Sequence, residues 1–152
     1  MASLNLSKLK EVPFEPVKEP WNEYKLKDGT TLKFRLIAIK FFDTGEIDPL
    51  TKCPNYIVGF QNIVSVISEE RGQPTGPSID ISKIPDNAKE EVEVDKALRE
   101  DWNVYRVNGK YRYEVKPIII AVYKLKGYFD QAGYPVYHVR SQNISKVSRW
   151  EG

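Results

Sequence analysis

The chain has 152 residues, with 23 basic and 21 acidic side chains, one His, one Cys and a formal charge of +2. That length suits one ordinary domain or two very small ones. A single Cys and a single His exclude a disulfide framework and a Cys/His zinc cluster within one chain. No apolar run reaches the roughly 18 residues that a membrane span needs, and Met1-Ala-Ser-Leu-Asn-Leu6 lacks a signal-peptide core. The expectation is a soluble, cytoplasmic protein, with a virion component left open. Many Lys, Glu and Tyr beside scarce Cys, Met and His also suit a thermophile.

In chain order, residues 1–16 read as an N-terminal arm. Leu9, Val12 and Phe14 alternate with Pro13 and Pro16, and a residue before proline avoids the helical region. The first β repeat spans 17–68. Trp21, Asn22 and Tyr24 open a strand that ends at Asp28-Gly29, a hairpin signal because the tight turn needs positive φ. A long strand follows, Thr31 to Phe42, with Leu32, Phe34, Leu36 and Ala38 on one face. A turn-rich loop, Asp43 to Pro54, leads to a strand over Tyr56–Phe60, a break at Gln61-Asn62, and a strand over Ile63–Ile67. The break marks a change of phase, and a short turn or bulge there would re-aim the strand.

Residues 69–97 form a connector. Gly72 to Ser78 is loop-like by composition. Asp86 could cap a short helix over residues 86–98, while Val92 and Val94 alternate as a strand would. The second β repeat, 98–150, follows the plan of the first. Trp102 to Val107 is a strand, Asn108-Gly109 a hairpin turn, and Lys110 to about Leu125 the long strand. Pro117 inside that strand implies an edge or a bulge. Tyr137–Ser141, Gln142-Asn143 and Ile144–Val147 complete it.

The two repeats share one register. Tyr56-Ile-Val-Gly-Phe-Gln-Asn-Ile-Val-Ser-Val66 and Tyr137-His-Val-Arg-Ser-Gln-Asn-Ile-Ser-Lys-Val147 both read Tyr-x-Val-x-x-Gln-Asn-Ile-x-x-Val, offset by 81 (137 minus 56). At the same offset, Glu19, Trp21, Asn22 and Tyr24 recur as Glu100, Trp102, Asn103 and Tyr105. The reading is a tandem duplication. Units this small seldom bury enough surface alone, so the copies are expected to pack on each other. The expected fold is mainly β, two tandem homologous small β-barrel repeats packed as a pseudo-dimer, with one short linker helix.

Leu26-Lys-Asp-Gly-Thr-Thr-Leu-Lys-Phe-Arg-Leu36 resembles the first signature of Sm-like proteins, and Phe60-Gln-Asn-Ile-Val-Ser-Val-Ile67 is similar to the strand–turn–strand of their second. The resemblance implies a small SH3-like or Sm-like barrel. The Arg-Gly that precedes the Asn in that family is replaced by Phe60-Gln61 and Ser141-Gln142, so the resemblance does not imply its RNA-binding turn. It is used for fold only.

Two function classes compete. Ile37, Ile39 and Phe41, and their counterparts Ile118, Ile120 and Val122, make both faces of each long strand apolar, although one face of such a strand is normally wet. Something must cover them: either the other repeat, the arm or the linker helix of the same chain, or another subunit, in which case they are the candidate interface of a non-catalytic interaction or structural assembly subunit. Its partner would be another protein or a second copy. The alternative is single-stranded DNA or RNA binding. Residues 100–149 hold nine basic and four acidic side chains, net +5, interleaved with rings. Lys110, Tyr111, Arg112, Tyr113, Lys124, Lys126, Tyr128, Arg140 and Arg149 would form a positive groove with stacking aromatics. No catalytic, cofactor, metal or small-molecule site is expected. His138 has no partner carboxylate in sequence and is Ile57 in the other repeat. Cys53 sits in a turn. Asp43, Glu46 and Asp48 do not have the spacing of a calcium loop.

Overall fold

The computed structural model describes residues 9–76 and 80–151. The arm before residue 9 and residues 77–79 of the loop after Gly72 lie outside the described residues. Ten strands run in order: β1 (Lys10–Val12), β2 (Phe14–Lys18), β3 (Trp21–Leu26), β4 (Thr31–Ile47), β5 (Pro54–Ile67), β6 (Lys89–Glu91), β7 (Val94–Arg99), β8 (Asn103–Val107), β9 (Tyr111–Phe129) and β10 (Pro135–Arg149).

They form two antiparallel five-stranded sheets. Neither sheet closes on itself, so the expected barrels are open sheets instead. In the first sheet, β4 pairs along its length with β5, and on its other side with β3 and then β1. In the second, β9 pairs with β10, and on its other side with β8 and then β6. The remaining two strands complete the opposite sheets. β2 adds to β8, with Phe14 opposite Val107, and β7 adds to β3, with Leu26 opposite Val94. The chain therefore crosses to the second sheet at Pro13 and back at Glu19-Pro20, and changes sheet again between β5 and β6, at Val92-Glu93, and between β7 and β8.

The expected linker helix is absent among the described residues. Ile81–Lys83 and Asp86–Ala88 are single 3-10 turns, and β6 and β7 follow. β6 pairs with the edge of β9 and β7 with the edge of β3, and Val92 between them is buried in a core.

The hairpins stand where the turn residues place them. Asn108 and Gly109 both have positive φ, 54° and 66°, the type I′ geometry whose twist matches the flanking strands. The ladders of the two sheets repeat each other 81 residues apart. Tyr24 faces Leu32 as Tyr105 faces Tyr113, and Phe34 faces Val64 as Val115 faces Ser145.

The phase change is displaced from its expected place. β5 and β10 run unbroken through Gln61-Asn62 and Gln142-Asn143. The extra residue sits on the partner strand, Ile39 in β4 and Ile120 in β9, each opposite a step in register. A bulge of this kind inverts which side chains point inward. Leu32, Phe34, Leu36 and Ala38 are buried before it and Phe41 after it. Val115 and Pro117 are buried before the second bulge and Val122 after it.

Two apolar cores result, and each draws on both sheets. One joins Val12, Leu36, Ala38 and Phe41 to Tyr105, Val107, Tyr113 and Val115. The other joins Tyr24, Leu26, Leu32 and Phe34 to Val92, Val122 and Tyr137. Each long strand thus spends its first half in one core and its second half in the other.

The bulged centres of β4 and β9 have no strand on one side, since the β3 ladder ends at Arg35 and β1 begins at Phe41. In β4 that gap is filled by side chains. Asn103 Nδ2 donates to the Leu36 carbonyl at 2.7 Å and to Tyr105 Oη at 2.9 Å. Tyr105 Oη donates to Glu19 Oε2 at 2.6 Å, which also accepts from the Ala38 N–H at 3.1 Å. In β9 the corresponding gap holds Pro117, opposite Asn143 and fully buried. It has no N–H to leave unpaired. Tyr24 Oη donates to Glu100 Oε2 at 3.1 Å, the reciprocal of the Tyr105–Glu19 bond.

Removing either end of the Glu19–Tyr105 bond leaves a buried polar group short of a partner. Tyr105→Phe and Glu19→Leu should each lower stability by about 1–3 kcal/mol. Their double variant should cost less than the sum, with a coupling of about 0.5–3 kcal/mol in urea unfolding. Additive losses would contradict the network.

Candidate interaction surface

The bulges that aim Phe41 and Val122 inward leave their neighbours outside. Phe41 is 0 % exposed and Val122 1 %, so both belong to the cores and not to an outer surface. Ile39, Ile118 and Ile120 stay outside, at 51, 39 and 52 % exposure, and Ile37 is half-buried. The six apolar positions of the long strands therefore divide into four outward and two inward, because one extra residue reverses the alternation.

On the outer face of the first sheet, Ile37 lies opposite Gln61, and Ile63 lies one step along opposite Arg35. On the second, Ile118 lies opposite Gln142, and Ile144 opposite Lys116. Each sheet so presents three isoleucines and an exposed glutamine at matching positions: Ile37, Ile39, Ile63 and Gln61, then Ile118, Ile120, Ile144 and Gln142. The motif that recurs in the sequence as Gln-Asn-Ile is largely solvent-facing.

The basic and aromatic residues of the second half fall into two separate groups. At one end of the second sheet, Arg106 and Arg112 face each other across β8 and β9. Their guanidiniums lie 5.7 and 5.5 Å from the centre of the Trp150 ring. Lys110 and Arg149 are exposed beside them. Arg112 also bonds Glu114 at 2.5 Å, and the Arg106 Nε is buried without a hydrogen-bond partner. Glu114 is held below the usual carboxylate range. Burial opposes this, and the bonds from Arg112 and Lys146 outweigh it.

Lys124 lies 12 residues further along β9 than Arg112, on the order of 40 Å at about 3.3 Å per residue. Lys124 is bonded to Glu70 and Lys126 is paired with Glu90. Arg140 stands beside exposed His138 and half-buried Tyr123 on the outer face. Of the three rings, Tyr113 is buried against Phe41, Tyr56 and Tyr105, while Tyr111 and Tyr128 are half-buried. These residues do not form one connected groove. The cluster that does form adds Arg106 and Trp150. Its signal was the Asn108-Gly109 turn, which sets Arg106 against Arg112 by hairpin register.

A hollow of about 500 Å³ is lined by Lys25, Asp28, Thr30, Ile67, Glu70 and Lys124 among others. Its base is a structural network. Tyr137 Oη donates to Asp28 Oδ2 at 2.6 Å and lies 3.0 Å from Thr30 Oγ1. Asp28 is held below its ordinary value, as the bonds from Tyr137 and Thr30 outweigh burial. Asp43 and Asp48 cap backbone N–H groups in their own turns. Cys53 is buried, with its thiol directed at the Thr51 carbonyl. Among the described residues no three His, Cys, Asp or Glu side chains are grouped to hold a metal ion, and no helix is long and apolar enough to cross a membrane. Comparison of the chain with protein-family models, with characterised proteins and with solved structures finds no match.

Burial pushes the phenols of Tyr24, Tyr56, Tyr105 and Tyr137 up, helped by Glu100, Asp43, Glu19 and Asp28 respectively. Below about pH 10 these groups are protonated whether the chain is folded or not. Above it the unfolded chain releases protons that the folded chain retains, so stability falls as pH rises. The urea midpoint should be unaffected by these phenols at neutral pH and should drop above about pH 10. A midpoint that stays level through that range would contradict this reading.

Proposed function

We propose that the chain is an internally duplicated, non-catalytic interaction subunit that docks on protein through its outer sheet faces. The observation that carries this is the matched set of outward isoleucines. Ile39 and Ile120 keep half their surface in water, although exposed apolar groupings on a monomer are uncommon away from interaction sites. The cores do not need Ile39 or Ile120 to be apolar, yet both copies retain isoleucine at 37/118, 39/120 and 63/144. The 81-residue register of sequence and ladders supports the duplication, and a duplicated unit commonly stands where two identical subunits would.

A second reading, nucleic-acid binding, is favoured by the Arg106–Trp150–Arg112 stack with Lys110 and Arg149. A positive site with a ring at its centre suits a single strand, and such binding would weaken steeply with salt.

A photo-crosslinking residue placed at Ile39, Ile120, Trp150 or the 91 % exposed Leu50 separates these readings in the cells the protein comes from. The docking reading expects protein adducts at Ile39 and Ile120 well above those at Leu50. The second reading expects nucleic-acid adducts at Trp150. Equal yields at all four positions would overturn both.

A further inference from the structure

Each half of the chain places a hairpin turn at the same point, but only the second half surrounds it with cations. Arg106, Lys110, Arg112, Lys146 and Arg149 have Lys25, Gly29, Thr31, Ser65 and Ser68 as their counterparts 81 residues earlier, and Trp150 has Glu69. Five cations stand where the first half has one. The two sheets build the same ladder at these positions. Lys25 faces Thr31 as Arg106 faces Arg112, and Thr31 faces Ile67 as Arg112 faces Ser148. The fold therefore does not require the basic set.

These side chains lie on the outer face of the second sheet, since the intervening Tyr105, Val107, Tyr113 and Val115 point into a core. They also connect to a second tryptophan. Arg112 Nε donates to Glu114 Oε1 at 2.5 Å, and Glu114 Oε2 lies 3.3 Å from Lys146 Nζ. Lys146 Nζ in turn sits 5.0 Å from the centre of the Trp102 ring. Trp150, Arg112, Glu114, Lys146 and Trp102 thus form one strip, each side chain beside the next. The Glu114 side chain keeps 17 % of its surface and that of Lys146 keeps 65 %, so the acid lies beneath and the cation outside. Both rings are half-buried. Trp150 is anchored by its N–H, which donates to the Lys110 carbonyl at 2.9 Å.

We infer that Trp102 and Trp150 are the two stacking platforms of one single-strand nucleic-acid site, with the strand's phosphates on the cations around them. This deepens the nucleic-acid reading and rests on it. Exposed ring surface stacks bases of any sequence, and guanidiniums hold phosphate oxygens through paired N–H donors. The cations at the two rings occupy successive outward ladder pairs, Arg112–Ser148 and Glu114–Lys146. These lie two residues apart on β9, about 7 Å, or roughly two stacked-base steps. Both rings are therefore within reach of neighbouring bases of one strand. Trp21, the counterpart of Trp102, has Lys33 and Arg35 at 5.2 and 5.8 Å from its ring centre. Glu69 stands where its second ring would be, so the first sheet offers no such pair.

Fluorescence anisotropy of the full chain with labelled oligothymidylate of roughly eight nucleotides, and with an abasic strand of the same length, tests this. Circular dichroism confirms that each variant folds. The wild type should bind oligothymidylate more tightly than the abasic strand. Trp102→Leu and Trp150→Leu should each weaken oligothymidylate binding by roughly 5- to 150-fold and leave the abasic strand little changed. Trp102→Tyr, which keeps a ring, should retain most of the affinity, and Trp21→Leu should have no effect. Arg149→Gln should weaken both strands and reduce the log–log salt slope by about 0.7. Tryptophan fluorescence of the wild type, a readout that needs no variant, should be quenched by oligothymidylate and not by the abasic strand. Loss at Trp150 with none at Trp102 would overturn the two-ring site and leave the nucleic-acid reading standing. Abasic strand or polyglutamate bound as tightly as oligothymidylate would also overturn the site, showing attraction by charge alone. A wild type that binds neither strand at low salt would overturn both the site and the reading beneath it.

Discussion

The structure depends on how the gap in β4 is filled. A long strand with a bulge at its centre leaves backbone groups without a ladder partner, and an unpaired buried N–H or C=O is costly. Glu19, Asn103 and Tyr105 supply the missing partners at Leu36 and Ala38. They come from opposite halves of the chain, so the bonds that repair the gap also tie the halves together. Three of the four residue types that recur 81 residues apart at positions 19–24 and 100–105, Glu, Asn and Tyr, take part in this crossing.

The exchange of β2 and β7 follows the same logic. Each hairpin, β3–β4 or β8–β9, would be an open edge if its neighbour came only from its own half. By crossing at Pro13 and at Val92-Glu93, the chain gives each hairpin a strand from the other half. The two cores are then mixed from the start, and burial of Phe41 depends on Tyr105 and Tyr113 while burial of Val122 depends on Tyr24 and Phe34. The bulges that make this possible also turn Ile39 and Ile120 outward. The feature that stabilises the interior therefore creates the apolar outer faces proposed for docking.

Much of the secondary structure was legible in the sequence, because its signals are local. Asn108-Gly109 set a hairpin turn, and the alternation of Leu32, Phe34, Leu36 and Ala38 marked the buried face of β4. The doubling of apolar residues around Ile39 and Ile120 was also visible, but its cause was not. A bulge and a doubly buried strand produce the same run of residues, and only the partner register separates them. Gln61-Asn62 looked like the irregular site since it breaks the alternation, while the extra residue lay across the ladder. The connector read as helix or strand until β9 and β3 offered it their edges. The basic residues of β9 read as one group because they are close in sequence, whereas an extended strand spreads Arg112 and Lys124 to opposite ends. Such outcomes rest on which distant segment completes an edge, and no local window carries that information.

The central claim is that the two halves form one interlocked unit. Native-state hydrogen exchange in rising denaturant tests it most directly. Amides of Leu32 and Phe34 in one core, and of Val107 and Val115 in the other, should converge on one opening free energy with one denaturant dependence. Exchange in which either core opens while the other stays protected would show two independent domains and contradict the account.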